Sequence, residues 1–160
     1  MTEDAVARLR ALLAAYAERE VPPAPALSDE GGRRRRAGGD ALRTIVRPVL
    51  DAVMAELRSA GHEAATRDDT ARDNAYPSVA LSFTPRTHPH PGMALASAII
   101  FRFDPRHGIV VQSDVKPTPT RRRVAGGGGE RHGTMGADAL TAAWVETKTL
   151  NFVDAVLKAN

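Results

Sequence analysis

Two short runs of arginine are the side chains in this sequence best suited to binding chemistry. Guanidinium groups present paired N–H donors that match the oxygens of phosphate and carboxylate. Neither run contains an aromatic residue, which argues against a platform on which nucleic-acid bases stack. Nucleic-acid or anion binding is therefore an alternative function for this chain. It would be carried by Arg33, Arg34, Arg35, Arg36, Arg121, Arg122 and Arg123.

The composition excludes several classes of site. The 160 residues include no cysteine, which rules out a disulfide scaffold, a thiolate-ligated zinc ion and a cysteine nucleophile. The net charge is only +3, and the basic excess lies in the two arginine runs. The overall basicity is thus weak support for a nucleic-acid partner.

Other candidate motifs lack the neighbours that their chemistry requires. Gly126–Gly129 is followed by Glu130 instead of the Lys-Ser/Thr of a phosphate-binding loop, so a flexible spacer is predicted. His88 and His90 flank a proline, and their spacing matches no common metal-binding motif. The sequence therefore predicts no metal site and no cofactor.

The serines of the predicted strands show no catalytic signature. Ser82, Ser97 and Ser113 lie within alternating apolar patterns, and none has the Gly-x-Ser-x-Gly spacing of a nucleophile elbow. No catalytic residue is predicted. An enzyme of unfamiliar class, with a pocket between the sheet and the helices, remains a further alternative.

An amphipathic helix is predicted at the N-terminus. Apolar residues recur at steps of three and four between Asp4 and Glu20, and Pro22 and Pro23 end the pattern. The apolar face of this helix is predicted to bind a partner. Its residues are Val6, Leu9, Leu12, Leu13 and Tyr16.

The chain divides into three parts by composition. Residues 1–20 form the N-terminal helix, and residues 21–39, rich in Pro, Gly and Arg, are predicted to be a flexible linker. Residues 40–160 are predicted to form a single α+β domain with a mobile loop at about 117–136, where apolar periodicity is lost.

The second helix is predicted from a continuous apolar stripe between Leu42 and Leu57. Asp40 suits its N-cap and Gly61 the position just beyond its C-terminus. Pro48 interrupts this helix, because proline removes a hydrogen bond and clashes with the carbonyl four residues earlier. The stripe favours a kink at Pro48, and a helix that starts near Arg47 is the alternative.

The remaining elements are strands and a final helix. Residues 78–84, 93–104 and 108–115 alternate apolar and polar side chains, a weaker strand is predicted around 62–67, and a helix at about 141–159. The predicted fold class is α+β: an antiparallel three- to four-stranded meander flanked by helices in the order α-α-β-β-β-α, with a tethered N-terminal helix.

These predictions leave one sheet face and one helix without a covering layer. Exposed apolar surface of this kind commonly marks a contact site. We therefore expect a cytoplasmic, non-catalytic protein-interaction module that binds another protein or itself, with nucleic acid as a secondary partner. No apolar run reaches the roughly 20 residues needed to cross a bilayer, so no membrane partner is predicted.

Overall fold

The fold is α+β, with three helices and a five-stranded antiparallel sheet in the order α-α-βββββ-α. The computed structural model describes residues 3–18, 29–71, 76–86, 95–117 and 130–160. The helical elements are α1 (Glu3–Glu18), α2 (Asp29–Ala41), a π-helical turn (Leu42–Val46), α3 (Arg47–Ser59) and α4 (Ala142–Ala159). The strands are β1 (Glu63–Asp69), β2 (Ser78–Thr84), β3 (Ser97–Asp104), β4 (Gly108–Asp114) and β5 (Glu130–Met135). The segments α2, π turn and α3 run on without a break, so they count as one helix.

The sheet is a simple meander, in which every strand pairs antiparallel with its neighbours in sequence. It has five strands, whereas three or four were predicted. The additional strand, β5, occupies part of the segment assigned to a mobile loop at about 117–136. It carries no alternating apolar pattern and pairs with β4 through its backbone, with a register shift between Val111 and Gln112. Backbone pairing of this kind leaves no hydrophobic signal in the sequence.

One face of the sheet packs against the long helix and α4. The centre of this core is formed by Leu42, Leu50, Val79, Leu81, Phe83, Ile99, Phe101, Ile109, Val111, Val145, Phe152 and Val156. In α4, buried residues recur at steps of three and four, and the Thr141 hydroxyl caps the helix by accepting from the Trp144 N–H at 3.3 Å. The sequence predicted both the sheet face and the helix stripes that form this core.

The long helix begins earlier than predicted. Residues 29–39, assigned to the linker by composition, form most of α2, so Asp40 lies inside a helix instead of capping one. Gly38 has a packing role there: a Cβ at this position would lie 2.3 Å from Cδ2 of the buried Phe103 ring. Glycine thus allows the helix backbone to approach the sheet closely. Residues 21–28 of the predicted linker lie outside the described residues.

The π-helical turn accommodates Pro48. The Arg47 N–H donates to the Leu42 carbonyl, five residues back, and Pro48 itself takes a place in the first turn of α3, where its missing N–H is tolerated. The helical run therefore continues through the proline, and α3 begins at Arg47 with Pro48 in its first turn, as in the alternative prediction. As predicted, Gly61 follows the C-terminus of α3 with a positive φ of 87°.

Candidate binding surfaces

The apolar face of α1 is exposed to solvent. The side chains of Leu9, Leu12 and Leu13 are 46%, 62% and 59% exposed, and Val6 is half-buried. The side chain of Tyr16, the fifth predicted residue of this face, lies outside the described part of the chain. Between residues 4 and 15, no side chain of α1 forms a hydrogen bond or ion pair with the rest of the described structure. The predicted stripe thus exists but is not part of the core.

The second face of the sheet is less apolar than the sequence suggested. In the cross-strand row through its centre, Ala80 and Ile100 lie between Arg67 on one side and Gln112 on the other. Ile100 is 38% exposed. Its cross-strand neighbours are Ala80 and Gln112, and a single exposed isoleucine is ordinary protein surface. The sheet face therefore adds little to the exposed apolar area of α1.

A basic cleft of about 390 Å³ lies where α2 meets the π turn and the ends of β1 and β2. Among the residues that the structure describes, its lining is formed by Arg35, Arg36, Gly39, Asp40, Arg43, Thr70, Ala71 and Pro77. Thr70 and Pro77 are buried and form its floor, whereas Arg36 and Asp40 are exposed at its rim. With three guanidinium groups and one carboxylate, the lining carries a net positive charge.

Hydrogen bonds fix one wall of the basic cleft. The Arg43 Nε donates to Thr70 Oγ1 at 3.3 Å, and Arg43 NH2 lies 3.6 Å from Asp40 Oδ1. Thr70 in turn donates to Asp68 Oδ1 twice, from its hydroxyl at 2.5 Å and from its backbone N–H at 2.9 Å. Arg47 NH1 lies 2.6 Å from the other carboxylate oxygen of Asp68. These contacts position Arg43 and Thr70 before any ligand arrives.

The same contacts change the acidity of Asp68. Burial alone would raise the pKa of this carboxyl. The hydrogen bonds from Thr70 and the positive charge of Arg47 favour the ionised form more strongly, so the pKa of Asp68 is lowered from its ordinary value of 3.8. Asp68 therefore stays charged at neutral pH and holds both Thr70 and Arg47.

The four arginines of the first predicted cluster fall into three positions. Arg35 and Arg36 line the basic cleft, Arg33 is exposed outside it, and Arg34 forms an ion pair of 2.7 Å with Glu30. Arg121, Arg122 and Arg123 lie outside the described residues, as do His88 and His90. Arg43 and Thr70 were not among the predicted site residues. The spacing of Arg36, Asp40, Arg43 and Arg47 along one helix face was the available signal, but it depends on residues 33–41 being helical.

A second cleft, of about 550 Å³, lies against a different face of α2 and includes Arg34, Arg106 and His107. Its charges are largely compensated. Arg34 is paired with Glu30, and His107 Nδ1 lies 3.2 Å from Asp104 Oδ1. The Arg106 backbone N–H and the contacts with His107 lower the pKa of Asp104 despite some burial, so this carboxylate is charged at neutral pH. The cleft offers few free donors.

Of the three serines in predicted strands, Ser113 alone forms a contact with a histidine among the described residues. Its hydroxyl forms a hydrogen bond with His132 Nε2 on β5, a partner that the sequence could not supply because β5 was not predicted. Ser113 is buried on the core face, and no acidic side chain of the described residues contacts His132. The pair satisfies two polar groups at the edge of the core but lacks the third group that orients a catalytic histidine.

The described residues hold no group of three or more side chains suited to binding a metal ion. Nor does any helix among them have the length and apolar character required to cross a bilayer. No protein-family model, curated protein or solved structure matches this chain.

Proposed function

We propose that this protein is a non-catalytic interaction module that binds another protein, a second copy of itself included, through the apolar face of α1. The observation that carries the proposal is the exposure of three leucines on one helix. Leu9, Leu12 and Leu13 together place a continuous apolar strip in water. Contiguous apolar surface of this kind is uncommon on a monomer unless it takes part in binding.

The length of α1 supports the same proposal. An isolated helix of 16 residues is only marginally stable in water, because nucleation is costly and few hydrogen bonds repay it. Most helices gain their stability from burial of an apolar face. Packing of α1 into an apolar groove of a partner would supply that burial, with anchors at steps of three and four.

A pair of adjacent substitutions tests this proposal. Leu12→Glu places a charge on the apolar strip, and Ala11→Glu places the same charge about 100° further round the helix. Both positions are exposed, so neither substitution disturbs the core. The full chain is compared with each variant by sedimentation velocity and by affinity capture from a native lysate treated with nuclease.

We expect Leu12→Glu to abolish self-association or the capture of a protein partner, and Ala11→Glu to preserve it. Captured proteins would be identified by mass spectrometry and then mixed with the purified chain to show direct binding. A monomeric wild-type chain with no direct partner would contradict the proposal. Equal binding by wild type and Leu12→Glu would contradict it as well.

A further inference from the structure

We propose that the basic cleft is a binding site for the phosphate group of a small phosphorylated molecule. The site is formed by Arg35, Arg36 and Arg43 above a floor that includes Thr70. It lies on the long helix and the sheet, and it does not depend on the interaction proposed for α1.

Unbalanced charge is the first argument for an anionic ligand. Within the described structure, Arg35 and Arg36 form no ion pair and no hydrogen bond, whereas Arg34 is paired with Glu30 and Arg47 with Asp68. Arg35 is also partly buried, so its charge is only partly solvated. Placing an anion between these guanidinium groups would supply the missing partner.

Preorganisation is the second argument. Arg43 lines the cleft and donates from its Nε to Thr70, so its side chain is oriented before a ligand binds. The contact between Arg43 NH2 and Asp40 Oδ1, at 3.6 Å, is too long for a strong hydrogen bond and is readily exchanged for a ligand oxygen. Because Thr70 is itself held by Asp68, the Arg43 side chain that it anchors need not be ordered on binding.

The size and lining of the cleft favour a small molecule over a polymer. A volume of about 390 Å³ lies in the range of small-ligand sites and exceeds what a single phosphate group fills. Pro77 and Ala71 offer apolar surface to the organic part of the ligand. None of the described lining residues is aromatic, so they offer no surface on which nucleic-acid bases would stack.

Calorimetric titration of the full chain tests the site. The probes are ribose 5-phosphate, inorganic phosphate and a single-stranded oligonucleotide, all at one ionic strength, with ribose as the uncharged reference. We expect ribose 5-phosphate to bind more tightly than inorganic phosphate and ribose not to bind. Absence of ribose 5-phosphate binding at millimolar concentration would overturn the proposal. Binding of the oligonucleotide alone would also overturn it, and would assign the cleft to a polymer.

Arg33 provides a matched control for Arg35. Both arginines lie on α2, and Arg33→Gln and Arg35→Gln remove the same charge, but only Arg35 lines the cleft. We expect Arg35→Gln to weaken ribose 5-phosphate binding about tenfold, as for the loss of one charged hydrogen bond, and Arg33→Gln to change it less than about twofold. Equal losses in the two variants would show general charge attraction and contradict a defined site.

Two further variants keep the test decisive if Arg35→Gln is unstable. Arg35→Lys retains the charge but not the paired donors, and we expect it to bind more weakly than wild type while keeping the same thermal stability. Asp40→Asn removes the one carboxylate that the described residues contribute to the cleft lining, and we expect it to tighten binding about twofold. Weaker binding by Asp40→Asn would contradict the proposal. Because Leu12→Glu alters only α1, it should leave this binding unchanged even if it abolishes the protein interaction.

Discussion

Helices α1 and α2 are of similar length, but the helix with an apolar stripe is exposed and the polar, glycine-rich helix packs against the sheet. The apolar stripe of α1 is typical of a helix that packs on a core, yet its leucines are exposed. The sequence of α2 consists mainly of glycine, arginine and acidic residues, yet α2 lies against the sheet and buries Gly38 and Gly39. Apolar periodicity therefore indicates that a helix forms, but it does not indicate which surface the apolar face packs against.

The difference arises from what each helix offers to a neighbour. In α1 the contact groups are long side chains, which can pack equally well on another molecule. In α2 the contact is made by the backbone itself, because Gly38 allows the Phe103 ring to lie directly against the helix. A glycine contact requires a close fit with one particular neighbour and cannot be transferred to another surface.

The largest expected effect is that of Gly38→Ala. The new Cβ would overlap the Phe103 ring, at 2.3 Å from Cδ2, so α2 or the ring must move. Overpacking of this kind costs about 1–3 kcal/mol of unfolding free energy, and we expect the upper part of that range. Urea unfolding measures it.

Gly39→Ala is the matched control for this prediction. Its Cβ would lie 3.7 Å from Pro77 Cβ, an ordinary contact distance. Since alanine favours a helix interior over glycine, Gly39→Ala should leave stability unchanged or raise it by up to about 1 kcal/mol. Equal destabilisation by the two substitutions would show that the glycines matter for reasons other than the Phe103 contact.

An intermediate effect is expected for Asp68→Asn, which weakens the polar contacts between α3 and β1. The lowered pKa of Asp68 means that its charged form favours the folded state. Near neutral pH the substitution should cost about 1 kcal/mol, because neutral hydrogen bonds replace charged ones. This cost should begin to shrink as the pH falls below 3.8, where the carboxyl of the unfolded chain becomes protonated, and should vanish only below the lowered pKa of the folded Asp68.

Urea unfolding of wild type and Asp68→Asn at pH 7 and pH 3 measures this linkage. Asp69→Asn is a useful comparison, because Asp69 lies next in β1 on the opposite sheet face. A difference between wild type and Asp68→Asn that stays constant with pH would argue that the substitution acts through shape and not through charge.

The smallest effect is expected for Leu12→Ala in α1. Because Leu12 is 62% exposed, its removal should change the unfolding free energy of the isolated chain by less than about 0.5 kcal/mol. Thermal unfolding at low protein concentration measures this value. A loss of 2 kcal/mol or more would show that α1 packs on its own domain, and the contrast between α1 and α2 would then disappear.

Much of the fold is encoded in side-chain patterns and was predictable from them. The alternation in β2, β3 and β4 predicted an α+β fold with an antiparallel meander, and the structure confirms this fold class. Elements that pair or pack through their backbone left no such side-chain pattern in the sequence. These are β5, with its bulge and Gly133 at φ 125°, and α2, with Gly38 against Phe103.

The candidate cleft was predictable only in part for the same reason. Arg35 and Arg36 were identified by composition, but their neighbours Arg43 and Thr70 come together through the helical path of residues 29–46 and the end of β1. If the glycine-rich residues 29–39 are assigned to a linker, Arg36 and Arg43 are not predicted to lie on one helix face. Tertiary contacts decided this region, not intrinsic propensity.

Because α4 follows all five strands in sequence, part of the core is covered late during synthesis. The meander forms from neighbouring strands, so each hairpin closes soon after its second strand leaves the ribosome. Val145, Phe152 and Val156 arrive only after all five strands, and they cover the core face beside α3 and the π turn. Until then the part of the sheet that α4 covers, Phe101 included, is exposed to solvent, and its protection depends on α4.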